Sequence, residues 1–387
     1  MQICGIIAEF NPFHRGHARL VETIHRLLPE ALIVGVMSGP FCQRGDAAIL
    51  DKWARAEAAT AAGVNVLFEL HSTWSTASLQ TFAYGAVETL KATGLVTHLA
   101  FGSECGQVEE LETLADQLRQ PSDQFTHLLK TALADGAPFA LAQQGALEKV
   151  TGVSPLKDRP NDRLALSYLR YAPSHWQALA VQRDTQHDGQ ASGRAIRSAL
   201  SQGQSVNDLL TPAALAQVEK AGKQGWTWPD LGDFYGALQL RLTNMSAGEV
   251  VGLLACTEGI AIRLKRAAHS ADSFEAWLDT ALDRHLFEST LRRAALQILS
   301  PVKPLQAVPY LRLLAADDLG RRLLKAMKGR ARVPIIGNCG RDVKKLPAQA
   351  QAAFADDLRR QETSRLLQKA APYRQALRDF HTPPVMI

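Results

Sequence analysis

Gln2-Ile3-Cys4-Gly5-Ile6-Ile7-Ala8-Glu9-Phe10-Asn11-Pro12-Phe13-His14-Arg15-Gly16-His17 is the stretch that decides the fold. The apolar, β-branched run from Gln2 to Ala8 reads as a buried strand, and a helical pattern runs from His17 to Leu28. A strand followed at once by a helix puts the loop between them at the carboxyl edge of a parallel sheet, where ligands bind in such folds. The helix start is expected to offer unpaired backbone N–H groups and the positive end of a dipole, both suited to phosphate oxygens. Gly16 removes a side chain where the backbone has to approach those oxygens. His14 and His17, three apart around the turn, can point at one phosphate chain and donate hydrogen bonds to charge that develops on it. A lone histidine at a helix start is ordinarily a cap or a surface residue. Two bracketing a glycine after Asn-Pro-Phe favour phosphate handling, and a zinc site fails for want of a third ligand nearby.

Outward from this turn, short β-type runs alternate with helical stretches. Strands are expected at Ala31 to Met37, Val64 to Leu70 and Val96 to Phe101, with helices at Leu50 to Ala62 and Leu79 to Ala92. A helical insertion follows over about 107–150, punctuated by Pro121, Pro138 and Gly145. The alternation resumes with a helix from Asn161 to Arg170, a strand from Trp176 to Gln182, a loop from His187 to Gly193 and a helix from Arg194 to Ser201. Beyond Ser205 only Leu/Ala-rich helical patterns are visible, with no further strand. The expected class is therefore α/β: a Rossmann-like parallel-sheet domain over 1–204, followed by a basic, mostly helical domain over 205–387.

The 387 residues are 46% hydrophobic and 21% charged, the balance of a globular protein with room for two or three cores. Five scattered cysteines form no Cys-x-x-Cys pair, which suits a reducing cytoplasm. The first residues lack a secretory pattern, and no apolar run approaches the ~20 residues that span a bilayer. The net charge of +5 is unevenly divided. Residues 1–200 hold 17 Lys/Arg against 20 Asp/Glu, and residues 201–387 hold 26 against 18. A polyanionic partner and Arg-rich solvated helix faces both fit that asymmetry. From Arg321 to Lys345 nine Lys/Arg stand with one acid, Asp342, a density that favours a surface tracking phosphates.

Phe10-Asn11-Pro12-Phe13-His14-Arg15-Gly16-His17 resembles the His-x-Gly-His signature of the nucleotidyltransferase superfamily. Further segments are together similar to one branch, the bacterial tRNA(Met) cytidine acetate ligase family. They are Met37-Ser38-Gly39-Pro40-Phe41-Cys42-Gln43-Arg44-Gly45, Asp51-Lys52-Trp53-Ala54-Arg55, Gly63-Val64-Asn65-Val66-Leu67-Phe68-Glu69-Leu70, Phe101-Gly102-Ser103-Glu104 and Pro160-Asn161-Asp162. The likeness runs in order to about residue 200 and continues more weakly, as in Glu258-Gly259-Ile260-Ala261-Ile262-Arg263. The segment Arg284-His285-Leu286-Phe287-Glu288-Ser289-Thr290-Leu291-Arg292-Arg293 lacks the tyrosine usual in the family.

The resemblance implies a nucleotidyltransferase fold and a two-step reaction. Acetate attacks the α-phosphorus of ATP to form acetyl-adenylate, and the acetyl group passes to N4 of cytidine 34 in elongator tRNA(Met). It implies ATP contacts along Ile7-Ala8-Glu9-Phe10-Asn11-Pro12-Phe13-His14-Arg15-Gly16-His17-Ala18-Arg19-Leu20 and at Gly102, Asn161 and Arg183, with Mg2+ shared by the phosphates. His14 and His17 would be the catalytic pair. Asn161 could equally cap its helix, and Arg183 could pair with an acid instead. Ala191-Ser192-Gly193-Arg194-Ala195-Ile196-Arg197 resembles the superfamily's second phosphate motif, with Ser192 as N-cap and phosphate donor. Arg44 and Lys52 could hold a substrate carboxylate or phosphate, or join surface ion pairs. An adenylyltransferase acting on a small phosphorylated metabolite is the alternative activity.

Overall fold

A computed structural model describes residues 1–153, 156, 159–183, 192–283 and 286–387. The chain runs β1 (Ile3–Ala8), α1 (Arg15–Leu27), β2 (Leu32–Ser38), α2 (Lys52–Ala61), β3 (Val66–Leu70), α3 (Ser72–Ser75), α4 (Leu79–Ala92) and β4 (His98–Ser103). Three helices form the expected insertion: α5 (Val108–Arg119), α6 (Asp123–Ala134) and α7 (Phe139–Thr151). Then come α8 (Pro160–Tyr171), β5 (Gln177–Gln182) and α9 (Gly193–Ser201). Expected and observed elements agree to within two residues at most ends. The loop expected from His187 lies largely outside the described residues, as do Ala191, Arg284 and His285 of the quoted motifs.

The five strands lie side by side in parallel, in the order β5-β4-β1-β2-β3. Each contributes alternate residues to two cores, as strand pleating requires. Val34, Val36, Val66 and Phe68 pack with Phe82, Val87 and Leu90 of α4 on one face. Ile6, Ile33 and Leu67 pack with Val21, Ile24, Ala56 and Ala59 of α1 and α2 on the other. Gly35 is required at the middle of β2, because a Cβ there would collide with the Leu67 side chain.

After α9 come α10 (Pro212–Lys223) and a bundle of α11 (Tyr235–Asn244), α12 (Ala247–Leu254), α13 (Glu258–Ser270), α14 (Phe274–Ala281) and α15 (Glu288–Leu299). The bundle has its own core around Leu238, Leu242, Leu264, Trp277, Leu291 and Leu296, into which the β2–α2 loop inserts Phe41 and Ala47.

Beyond the bundle, one expectation needs correction: strands do occur after Ser205. β6 (Leu311–Ala316) joins the edge of the same sheet antiparallel to β3, and β7 (Ile335–Ile336) and β8 (Val385–Met386) pair with β6. Between them lie α16 (Asp318–Met327), α17 (Cys339–Asp342), α18 (Ala348–Leu366) and α19 (Arg378–His381). The run Leu311-Arg312-Leu313-Leu314-Ala315-Ala316 is buried throughout, so it shows no alternation, and Leu and Ala give it a helical composition. Its pairing with β3 is a tertiary choice that local pattern does not encode.

Candidate active site

The β1–α1 turn is built from buried side chains. Phe10 has φ +45°, a left-handed conformation unusual for a bulky residue, and it turns the chain sharply after β1. Phe10 and Phe13 are both buried, with ring centroids 5.0 Å apart, and His17 stands edge-on to Phe10 at 4.9 Å. Asn11 acts as a brace: its Oδ1 accepts the Ile49 N–H at 2.7 Å and its amide donates to Cys42 Sγ at 3.3 Å. Ile7 and Ala8 end β1, Pro12 is buried in the turn, and Ala18, Arg19 and Leu20 continue α1 half-buried. Arg15 leans away, its Nε donating to the Leu210 carbonyl at 3.4 Å.

His14 caps α1, its Nδ1 accepting the Gly16 N–H at 3.1 Å, while His17 Nδ1 accepts the His14 N–H at 3.2 Å. The two rings stack with centroids 3.8 Å apart. Burial, with Arg183 and Arg197 nearby, lowers the His14 pKa to about 4. Burial and His14 itself hold His17 well below the usual imidazole range. Both rings are therefore neutral at physiological pH, and since each Nδ1 accepts, each carries its proton on Nε2. The site gains two N–H donors without net charge.

This arrangement corrects the expectation of open backbone donors at the start of α1. The Gly16 and His14 N–H groups are consumed by the two rings, and the Arg15 N–H goes to the Leu209 carbonyl at 3.2 Å. The open helix start belongs to α9. Ser192 Oγ caps it by accepting the Ala195 N–H at 3.2 Å, and the N–H groups of Gly193 and Arg194 form no bond among the described residues. A Cβ at Gly193 would stand 3.1 Å from the Asn11 carbonyl oxygen, so the glycine lets α9 close on the β1–α1 turn. One turn on, Arg197 donates to that same carbonyl at 2.7 Å. From the sequence alone Arg197 has no assigned role. Its spacing of four from Gly193, on one helix face, is the signal that could have found it.

Gly102 and Arg183 end neighbouring strands, and the Arg183 N–H bonds the Ser103 carbonyl at 2.8 Å. A Cβ on Gly102 would only touch the Arg183 side chain, so the glycine keeps the strand end low without relieving a clash. Arg183 also acts electrostatically on both histidines, which places it at the site.

Asn161 is not the cap of α8. It lies inside the first turn, and the Glu104 carboxylate caps the helix instead, accepting the Asn161 side-chain N–H at 2.6 Å and the Asp162 backbone N–H at 2.8 Å. Buried Asp162 replies, accepting Ser103 Oγ at 2.5 Å and the Glu104 N–H at 2.9 Å. This reciprocal lock fixes the loop after β4.

Lys52 and Arg44 part company. Lys52 is only 1% exposed and holds Glu69 at 2.8 Å and Asp379 at 2.7 Å, which makes it a buried structural cation rather than a substrate ligand or a surface pair. Arg312 completes the square, 3.1 Å from Glu69 and 2.9 Å from Asp379. Arg44 is exposed and pairs with nothing among the described residues. Arg55, fully buried, donates to the carbonyls of Leu50, Glu9, Ser38 and Gly39 at 2.5–3.1 Å and ties the ends of β1 and β2 together.

A stacked, neutral His-x-Gly-His pair beneath an open helix start can bind a nucleotide's phosphates and polarise them for attack. Residues 1–379 match the HIGH Nucleotidyl Transferase family. The sequence is 32% identical to the tRNA(Met) cytidine acetate ligase of Syntrophomonas wolfei, covering 100% of this chain and 99% of that protein. The chain belongs to this ligase family of the HIGH nucleotidyl transferases. Another member, from Listeria monocytogenes, is 30% identical with both chains covered in full. A crystal structure of Thermotoga maritima TmcAL bound with alpha-thio ATP superposes with a TM-score of 0.92 at 27% identity, over 100% of each chain. Among the described residues no helix is long and apolar enough to cross a membrane.

Proposed function

We propose that this protein activates acetate with ATP and transfers the acetyl group to N4 of the wobble cytidine 34 of elongator tRNA(Met). The observation that carries the reading is the neutral, stacked pair of His14 and His17 in the turn on which α9 closes at Gly193. Their Nε2–H groups bind the non-bridging phosphate oxygens and strengthen as acetate attacks the α-phosphorus. Arg183 and Arg197 add positive charge beside the leaving pyrophosphate. No protein nucleophile is required, since positioning and charge stabilisation suffice for in-line displacement. The segment Ile7 to Leu20 cradles ATP with Gly102, Asn161 and Arg183, the last two held by their neighbours as described.

Mg2+ carried by the ATP phosphates would offset their charge. Among the described residues no group of three or more His, Cys, Asp or Glu side chains is arranged to hold a metal.

Residues 205–387 hold the tRNA in this reading. All nine Lys/Arg between Arg321 and Lys345 are exposed. They fall in two places. Arg321 to Arg332 stand at the amino edge of the sheet, since Asp317 bonds Asn65 at the start of β3 and the Arg332 N–H bonds the Ala92 carbonyl. Arg341, Lys344 and Lys345 follow β7, at the level of the carboxyl end of β3. A tRNA is long enough to meet both places while its anticodon loop reaches the site, where an unpaired base is extruded at low cost.

The test is incubation of the protein with ATP, labelled acetate and tRNA(Met), followed by analysis of cytidine 34 for acetylation. Acetate-dependent exchange of pyrophosphate into ATP separates this activity from adenylyl transfer to a phosphorylated metabolite, which needs no acetate.

A further inference from the structure

Glu9 lies in the segment that cradles ATP, but the adenylation step has no proton for its carboxylate to give or take. It follows β1 directly, is half-buried, and lies between the β2–α2 loop and α9. One oxygen, Oε1, accepts the Gln43 N–H at 2.6 Å, and the backbone carbonyl of Glu9 is held by Arg55 at 2.7 Å. Oε2 has no partner among the described residues. The Gln43 loop is itself steadied by the helical bundle: Arg293 of α15 donates to the Gln43 carbonyl at 3.4 Å, and Gly45 sits against the α15 backbone, where a Cβ would clash.

We infer that Glu9 Oε2 receives the exocyclic amino group of the acceptor cytosine and takes a proton from it as the acetyl group is transferred. The inference rests on the acetyl-transfer reading above and assigns its second step. A carboxylate is the side chain that pairs with the cytosine N4 amino group, which only donates. That nitrogen is a weak nucleophile, because its lone pair is delocalised into the ring, so attack needs the proton removed as the bond forms. The balance is complete with groups at hand. The N4 lone pair forms the C–N bond to the acetyl carbon, the C–O bond to the phosphate breaks, AMP leaves with that electron pair, and the N4 proton passes to Oε2.

The surroundings make Glu9 a stronger base than a free carboxylate. Burial raises the Glu9 pKa above its ordinary value, opposed by the Gln43 N–H, Arg197 and Arg55 and assisted by Asp46. Buried Cys42 and Tyr168, whose own pKa values burial and Glu9 push up, face it as neutral groups. A raised carboxylate is a stronger proton acceptor than a free one. Its fixed Oε1 leaves Oε2 as the oxygen open to an incoming amine.

The experiment compares Glu9→Gln with the parent in two assays from pH 5 to 9: acetate-dependent pyrophosphate exchange, and single-turnover acetyl transfer to tRNA(Met). Glutamine keeps an oxygen for the Gln43 N–H. The ratio of transfer to exchange is expected to fall at least 100-fold in the variant; transfer by the parent is expected to rise with pH, and that rise is expected to vanish in the variant. Glu9→Asp, which keeps a carboxylate, should restore that rise; it serves as the second variant if Glu9→Gln melts early. A ratio within about threefold of the parent, or a lowered ratio with the pH rise intact, would overturn the assignment. A parent that shows no acetate-dependent exchange would overturn the acetyl-transfer reading itself, an outcome distinct from either.

Discussion

The imidazoles of His14 and His17 lie ring over ring, 3.8 Å between centroids, each with its Nδ1 occupied by a backbone N–H of the same turn. Each ring thus fixes the helix start and keeps its proton on Nε2. Replacing His17 by Ala removes a donor to the transition state as well as half of the reciprocal cap. Pyrophosphate exchange is expected to fall by about 10²–10³-fold, with a stability loss of about 1 kcal/mol from the cap. Exchange rates and urea melts separate the two effects, and a variant with full exchange would refute the catalytic role.

The same pair makes stability depend on pH in a definite direction. An unfolded histidine takes up a proton near pH ~6.5, whereas folded His14 does so only at about 4, and folded His17 also resists it well below the usual range. Between these values the unfolded chain binds more protons. The contribution is therefore complete above the ordinary imidazole value and is lost as pH falls toward 4. Melting temperature should drop over that interval in the parent and drop less in a His14→Asn/His17→Asn variant.

Lys52 and Arg312 share Glu69 and Asp379 in a buried square that joins α2 and β3 to α19, more than 300 residues away in the chain. Asp379→Ala leaves two buried cations with one carboxylate. Destabilisation of about 3–5 kcal/mol is expected, because an uncompensated buried charge is the costly outcome. Equilibrium denaturation measures it, and a cost under ~1 kcal/mol would mean that the square is solvated.

Glu104 caps α8 from a different loop, through both Asn161 and Asp162. Glu104→Ala should cost about 1–2 kcal/mol as a lost cap and weaken ATP binding by loosening the Gly102 turn. Calorimetric titration with ATP checks the second part. Unchanged affinity would make the lock purely structural.

Replacing Arg321, Lys325 and Lys328 together by Ala should weaken tRNA binding and flatten its dependence on salt, the logarithmic slope shrinking by about 2 as three phosphate contacts go. The same substitutions at Arg341, Lys344 and Lys345 ask whether the patch nearer the carboxyl edge matters more. Binding titrations at several salt concentrations rank the two, and no change in either would remove this segment from the RNA surface.

Much of the active half was legible in the order of residues. Strand and helix periods from Ile3 to Ser201 are strong because β1 to β4 are largely buried and the helices beside them pack an apolar face on the sheet. The spacing of His14, Gly16 and His17 marks the phosphate turn for the same local reason: one turn of helix brings them together. What the tertiary structure alone decided is how charges and distant segments are spent. It turned Lys52 from a candidate ligand into a buried clasp, moved the open helix start from α1 to α9, and returned Leu311–Ala316 to the first sheet. Those outcomes rest on pairings between residues tens to hundreds apart, where burial and hydrogen-bond partners are set by packing and no local period records them.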